Sequence, residues 1–246
     1  MLKSWALITV VALTSAGPVL AEDEGMTLLK SHADINNLES LQRGARNFMN
    51  YCSGCHSLMY LRYNRMATDL KIPESELPNL MFTSDKSFET INSAMPPDAV
   101  TWFGKQPPDL SLMARARSVD YIYSFLKGFY VDKTRPWGVN NLYLPMAAMP
   151  AVIETLQGLQ KPVFKSEPDE RGNAKMVLSG VESMSPGSMK PEEYDEFARD
   201  IANFLDYAGE PIKQKRQSLG VFVTLFLLVF FVFAFLLKKE YWKDVH

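Results

Sequence analysis

A run of 19 uncharged residues close to the carboxyl end, Leu219–Leu237, restricts what this chain can fold into more than any other feature. As a helix it is roughly 28 Å long at about 1.5 Å per residue, which matches the hydrocarbon core of a bilayer. Basic residues flank the run on both sides, and Tyr241 and Trp242 follow it where aromatic residues meet the membrane surface. No soluble core needs an apolar surface all round so long a helix. We therefore predict a transmembrane anchor over residues 218–237.

The amino terminus has the pattern of a secretory signal. Lys3 provides a short positive region, an apolar stretch begins at Trp5, and a small-residue cleavage site ends at Ala21. The apolar stretch is too short to span a membrane. Residues 1–21 are therefore excluded from the fold as a cleaved signal peptide.

These two segments together predict the topology. The basic residues before and after the span nearly balance, so the signal peptide decides the orientation. We expect a domain over residues 22–217 in the bacterial periplasm and an anchor in the inner (cytoplasmic) membrane. Residues 238–246 then form a cytoplasmic tail.

The composition excludes several classes of protein. The chain has 26 basic and 28 acidic residues and a net charge of −2, without the basic excess that nucleic-acid binding requires. Two cysteines and three histidines are too few for a dense disulfide framework or for a zinc protein with two sites. The exported part is long enough for one domain with a single core.

Apolar residues recur at helical spacing in three segments, and long loops join them. The predicted helices are residues 37–52, with a capping box from Asn36 and Glu39, residues 118–127 and residues 191–209. Nine of the 15 prolines fall between Pro73 and Pro150, so long regular elements are not expected there. Residues 163–188 alternate weakly, as a short hairpin would. A mainly α domain with such long loops is typical of a fold that encloses a ligand.

The ligand is indicated by Cys52-Ser53-Gly54-Cys55-His56, the C-x-x-C-H signature of covalent haem attachment. Two cysteines with this spacing at a helix end can each form a thioether with one vinyl group of the same haem. The histidine that follows then offers its imidazole to the iron. We predict one haem c, bound through Cys52 and Cys55, with His56 as an axial ligand.

Two other interpretations of the cysteine pair fit the sequence less well. A thioredoxin-like redox pair follows a strand in a βαβ unit, whereas this pair ends an amphipathic helix. A zinc site needs two further soft ligands, and the sequence has no other cysteine. A thiol oxidoreductase and a haem-based ligand sensor stay as rival functions, to be tested by thiol labelling and by carbon monoxide binding.

Methionine is the expected second axial ligand. His246 lies beyond the predicted anchor, and His32 is a lone histidine in a polar segment. Lysine or an open position is an alternative, but methionine is the usual partner of a high-potential haem.

Met149 is the preferred methionine. It lies in the proline-bracketed loop Leu144–Pro150, whose small residues leave room for a thioether against a haem face. Met146 in the same loop is the first alternative, and Met184 and Met189 follow it.

The order of motifs resembles the cytochrome c1 family. A helix ending in C-x-x-C-H is followed by Gln106-Pro-Pro-Asp-Leu-Ser111, by Arg115-Ala-Arg117, by a Met-Pro loop and by one carboxyl-terminal anchor. All c-type cytochromes share C-x-x-C-H, whereas PPDLS followed by RAR is far more restricted. The resemblance covers the mature chain and implies a c-type cytochrome haem domain enlarged by long loops. It also implies His56 and Met149 on the iron and Arg117 near a propionate, with Tyr121 as a further propionate candidate.

The resemblance also implies a function. The family transfers one electron at a time from the Rieske iron–sulfur subunit to a c-type cytochrome, within the quinol-oxidising bc1 complex built on cytochrome b. This chain would be an electron-transfer subunit of quinol–cytochrome c oxidoreductase, in a dimeric complex, with no bond-making chemistry of its own. The alternative is a membrane-anchored c-type cytochrome that serves a different oxidase or acts as an independent electron carrier.

Overall fold

The computed structural model describes residues 26–168 and 174–244, and the predicted signal peptide at residues 1–21 lies outside them, as does His246. Within the described residues there are eight α-helices, a short 3-10 helix at Leu77–Leu80 and three two-stranded antiparallel sheets. The helices are α1 (Leu38–Tyr51), α2 (Tyr63–Asp69), α3 (Ala99–Phe103), α4 (Met113–Arg117), α5 (Val119–Lys127), α6 (Glu154–Gln157), α7 (Pro191–Gly209) and α8 (Lys213–Tyr241). The paired strands are β1 (Leu58–Arg62) with β2 (Thr90–Ile91), β3 (Phe129–Val131) with β4 (Val139–Asn141), and β5 (Gln160–Pro168) with β6 (Ala174–Ser183). The predicted class, mainly α with one carboxyl-terminal anchor helix, is confirmed.

Helix α1 forms as predicted, but its cap is one residue later than expected. Asn37 is the N-cap residue, because its side-chain oxygen accepts the backbone N–H of Ser40 at 3.0 Å. Asn36 instead donates its backbone N–H to the carboxylate of Asp34 in a tight turn. The predicted capping box of Asn36 and Glu39 is therefore wrong.

Helices α1 and α7 cross at the centre of the core. Ala45 and Phe48 on α1 are fully buried, and the Phe48 and Phe204 rings meet with their centroids 5.6 Å apart. The helices approach closely because Gly44 has no side chain at the crossing. This burial of apolar surface is the main source of stability for the domain.

A polar network lies inside the same crossing. Asp200 is 2% exposed, and its carboxylate accepts hydrogen bonds from Ser40 Oγ at 2.6 Å and from Arg43 Nε at 2.6 Å. Arg43 Nη2 also donates to Glu196 at 2.8 Å. A buried carboxylate is tolerated only with such partners, so this network specifies how the two helices lie against each other.

The other two predicted helices are also confirmed. The Ser118 hydroxyl caps α5 by accepting the backbone N–H of Tyr121 at 3.2 Å. Helix α7 starts at Pro191 and ends at Gly209, the residues that were expected to open and close it.

The segment before α1 is held against α5 and α7. Leu29 donates its backbone N–H to Ser124 Oγ at 2.8 Å, and Ser31 donates its own to Asp120 Oδ1 at 2.9 Å. Arg199 Nε on α7 donates to the Ser31 carbonyl at 2.9 Å. Residues 29–31 are therefore tied to both helices.

Long loops with short elements fill the chain between α1 and α7, as the prolines predicted. The hairpin expected within residues 163–188 is present as β5 and β6, starting at Gln160. Most side chains of β5 are exposed, so the hairpin adds little to the core.

The anchor prediction is confirmed as a helix. Residues 218–237 lie inside α8, the one helix in the described part of the chain that is long and apolar enough to cross a membrane. Ion pairs hold its first turn to the carboxyl end of α7: Lys213 contacts Asp206 at 2.7 Å, and Arg216 contacts Glu210 at 2.5 Å.

Candidate functional site

The C-x-x-C-H residues form a tight turn at the end of α1. Cys52 caps the helix by donating its backbone N–H to the carbonyl of Phe48 at 2.8 Å. The Cys52 carbonyl then accepts the N–H groups of Cys55 at 3.0 Å and of His56 at 2.8 Å. Ser53 is buried and donates its hydroxyl to the Met49 carbonyl at 2.7 Å. The turn thus brings both cysteines and the histidine together on a helix end that is fixed in the core.

Both cysteines lie in partly buried positions. Burial raises the pKa of the Cys52 thiol to about 12, with a further contribution from Cys55. Burial also raises the pKa of the Cys55 thiol. Redox-active cysteine pairs have the opposite property, a lowered thiol pKa, so this environment argues against a thiol oxidoreductase.

The imidazole of His56 is oriented as a metal ligand is. Its Nδ1 lies 2.8 Å from the backbone carbonyl oxygen of Pro108, and a hydrogen bond there makes Nδ1 the protonated nitrogen. The lone pair of Nε2 is then available for a metal. Burial lowers the pKa of His56, while the Pro108 hydrogen bond and the charge of Asp109 act in the opposite direction. A neutral imidazole with one oriented nitrogen, directly after two adjacent thiols, fits the attachment of a haem c.

The Pro107–Ser111 loop supports this histidine, and sequence reasoning missed the part played by Asp109. The Asp109 carboxylate accepts the backbone N–H of Met59 at 2.8 Å and that of Ser111 at 2.9 Å. The first bond joins residues 50 positions apart in sequence. A local signal existed, because an aspartate two positions before a serine favours an Asx turn.

Met149 is partly buried in the loop between β4 and α6. In the same loop, Met146 is 65% exposed and has a φ of 65°. The backbone of Met146 is held by Asn140 Oδ1, which accepts its N–H at 2.9 Å, and by Arg135 Nη2, which donates to its carbonyl at 3.2 Å. The more buried position favours Met149 over Met146.

The other two methionines differ from these in location. Met184 follows β6 and is 58% exposed, and Met189 is partly buried just before α7, where it packs against the main core. Neither lies in the loop that carries Met149.

Arg117 and Tyr121 are brought together, although they belong to different helices. The guanidinium carbon of Arg117, the last residue of α4, lies 5.5 Å from the centre of the Tyr121 ring on α5. Tyr121 is partly buried and stacks on Phe125 at 6.2 Å. Burial raises the pKa of Tyr121, and the charge of Arg117 opposes that effect. Arg117 itself is exposed.

These parts share one core. Cys52 packs against the main hydrophobic cluster, and so does Phe125 beneath Tyr121. The Met149 loop reaches the same cluster through Ile153 and Leu156, which are buried immediately after it. Cys52, Phe125 and the residues that follow Met149 in sequence thus belong to one core.

Comparison with known proteins gives consistent matches. The profile of the Cytochrome C1 family matches residues 97–245. A cytochrome c1 of Allochromatium vinosum is 48% identical over 242 residues, which is 98% of each chain. A protein of Nitrosomonas europaea named ammonia monooxygenase gamma subunit is 40% identical, over 93% of this chain and 94% of its own. A cytochrome c1 of Rhodospirillum rubrum is 27% identical, over 95% of this chain and 97% of its own.

The profile match covers more than half of the chain, and the first of these relatives aligns with nearly all of it. The family carries one covalently bound haem c. The resemblance deduced from the motifs is confirmed. The chain belongs to the cytochrome c1 family, whose role is haem-based electron transfer in the cytochrome bc1 complex, and one helix anchors it in the membrane.

Proposed function

We propose that this chain receives electrons one at a time from a Rieske iron–sulfur protein and passes them to a c-type cytochrome in the periplasm. The complex also contains cytochrome b, oxidises a quinol and is dimeric. The observation that carries the proposal is the orientation of His56 by the Pro108 carbonyl, directly after the cysteine pair. Such an imidazole binds a metal through Nε2.

Six residues of the chain would hold the haem. Cys52 and Cys55 would bind it as thioethers, His56 and Met149 would be the axial ligands, and Arg117 and Tyr121 would face a propionate. When bound, the haem supplies reversible one-electron chemistry at its iron. The protein contributes the axial ligands, the charges around them and exclusion of water, and each of these tunes the reduction potential.

The anchor holds this domain at a fixed height above the bilayer. The ion pairs of Lys213 with Asp206 and of Arg216 with Glu210 join α8 to the end of α7, and three residues separate the two helices. A short, charge-paired connection limits how far the domain can tilt from the membrane. The haem would therefore stay within reach of membrane-bound partners, on the periplasmic side.

The half of α7 that lies near the cysteine turn carries three exposed acidic side chains, of which Glu196 is paired with Arg43. Tyr51, which precedes Cys52, packs on Phe197 of α7 with ring centroids 5.3 Å apart. Glu192, Glu193 and Glu196 are exposed on this half of the helix. Exposed carboxylates near a redox site attract a basic electron carrier and make the association rate depend on salt.

The donor is tested by rapid mixing of the purified complex with quinol while the absorbance of the c-type haem is followed. We expect fast reduction in the intact complex, much slower reduction when the Rieske protein is removed, and recovery of the fast rate after reconstitution. Equal rates with and without the Rieske protein would contradict the proposed donor.

The acceptor is tested in the same apparatus. Oxidised soluble c-type cytochrome should reoxidise the haem with a second-order rate that falls as salt is added. A small neutral oxidant is the matched control, because its rate should not depend on salt. A cytochrome rate that is independent of salt would argue against an acidic docking surface.

A further inference from the structure

Hydrogen bonds join the Pro107–Ser111 loop to residues 57–60, the segment that follows His56. Asp109 uses its two carboxylate oxygens separately: Oδ2 accepts the N–H of Met59 at 2.8 Å, and Oδ1 accepts the N–H of Ser111 at 2.9 Å. The first bond joins the loop to the segment, and the second closes the loop on itself. The carboxylate is therefore the junction between the two.

Two more bonds flank that junction. Leu110 donates its N–H to the Ser57 carbonyl at 2.9 Å, and Tyr60 donates its N–H to Ser111 Oγ at 3.2 Å. Ser111 in the loop and Leu58 in the segment are both fully buried, so both sides of this hydrogen-bonded pairing are fixed in the core. The carbonyl of Pro108 is the next acceptor in the series, and it meets Nδ1 of His56.

We propose that Asp109 is a positioning residue for the axial histidine. Its carboxylate holds the Pro108 carbonyl against Nδ1 of His56 and places a negative charge beside the imidazole. Both effects make the imidazole a stronger electron donor to the iron. They therefore favour the ferric state and lower the reduction potential of the haem. This inference rests on the proposed function, in which His56 is a haem ligand.

The chemistry of the site calls for a carboxylate. An ionised aspartate offers two acceptor oxygens and no donor, which suits two backbone N–H groups. An asparagine of the same size offers one acceptor and places an NH₂ group against the second N–H. An alanine offers no acceptor and leaves the loop held by its flanking bonds alone.

The test uses the purified full-length chain with its haem, in mild detergent, and compares the wild type with Asp109→Asn and Asp109→Ala. Two quantities are measured: the midpoint potential, and the exchange rate of the His56 Nδ1 proton by NMR. We expect Asp109→Ala to shift the oxidation equilibrium about tenfold toward the reduced haem, which is a rise of about 59 mV for a one-electron couple. The Nδ1 proton should exchange at least about tenfold faster, and Asp109→Asn should give smaller changes in the same direction.

Asp34→Asn is the matched control. Asp34 makes the same kind of local turn, because its carboxylate accepts the N–H of Asn36 at 2.9 Å. It lies before α1, and its carboxylate makes no hydrogen bond to residues 56–60. Neither quantity should change in this variant. If Asp109→Ala does not accumulate with haem, Asp109→Asn carries the test, because it keeps the shape and one acceptor.

The outcomes separate this inference from the proposed function. A wild-type spectrum without histidine ligation would overturn the proposed function. Histidine ligation in every variant, with unchanged potential or unchanged proton exchange at Asp109→Ala and Asp109→Asn, would overturn only the role of Asp109. A higher potential together with faster exchange, absent from Asp34→Asn, supports it.

Discussion

Gly44 of helix α1 faces the backbone carbonyl oxygen of Asp200 on helix α7 so closely that a Cβ atom would lie 2.1 Å from that oxygen. The same Cβ would lie 2.7 Å from the Cβ of Phe204. The two backbones therefore pack directly at their crossing. Since α1 ends in the cysteine turn, this contact also sets where the candidate haem-binding residues stand relative to the rest of the core.

Replacement of Gly44 by alanine should destabilise the domain. In an exposed helix, replacing glycine by alanine stabilises the helix by about 1 kcal/mol. Here the added Cβ would meet backbone atoms of α7, and such overpacking destabilises the folded state by about 1–3 kcal/mol. The free energy of unfolding, measured by denaturant titration of the haem-loaded chain, should fall. Gly180→Ala is the control, because nothing lies within 4 Å of its added Cβ. Equal stability of the two variants would show that the helices do not approach this closely.

The buried carboxylate of Asp200 should matter more than the exposed one of Glu196, although both contact Arg43. Asp200→Ala removes charge-assisted hydrogen bonds from Arg43 and Ser40, at a cost of about 1.5–3 kcal/mol in unfolding free energy. Glu196→Gln should change it by less than about 1 kcal/mol, since Glu196 is 56% exposed. Similar losses in the two variants would contradict the assignment of Asp200 to the core network.

Asp120 should make the attachment of the amino-terminal segment dependent on pH. Burial alone would raise its pKa, but the backbone N–H of Ser31, the Lys30 ammonium and the Ser31 hydroxyl together hold the pKa of this carboxyl below its ordinary value. A depressed pKa stabilises the folded state above the unfolded-state value of about 3.9, and this contribution is lost as the pH falls through the folded-state pKa.

The unfolding free energy of Asp120→Asn should therefore lie below that of the wild type at pH 7, with the difference shrinking below about pH 4. Urea titrations at a series of pH values measure both quantities. A difference that stays constant down to pH 3 would mean that the carboxylate is not ionised in these contacts.

Met149→Leu should cause a large fall in the reduction potential and loss of the methionine-ligated spectrum, because a thioether ligand favours the ferrous iron. Met146→Leu is the matched control in the same loop, and it should leave both unchanged, since the Met146 side chain is 65% exposed. If Met146→Leu produced the fall and Met149→Leu did not, the axial assignment would move to Met146.

Much of this architecture could be predicted from sequence because its signals are local. The apolar stripes of α1 and α7 follow the helical period, Pro191 and Gly209 mark the ends of α7, and the anchor is a plain apolar run. The predicted cap of α1 is one residue too early, since Asn36 and Asn37 are equally good capping residues and the choice between them depends on Asp34.

The unpredicted parts depend on contacts between distant residues. Asp109 bonds to Met59 across 50 positions, and Asp200 bonds to Ser40 across 160, so neither partner appears in a local pattern. Arg117 and Tyr121 have the spacing of one helical turn, yet Ser118 between them has a φ of 89° and divides the segment into two helices. Their contact is therefore made between helices.

The most direct test is the reduced-minus-oxidised spectrum of the native complex, purified in mild detergent and quantified against the amount of this chain. We expect one c-type haem per chain, with b-type haem co-eluting and with the paramagnetic signal of a Rieske iron–sulfur cluster. A c-type spectrum alone in several mild detergents would instead indicate an independent anchored electron carrier. A preparation without any haem would contradict the account as a whole.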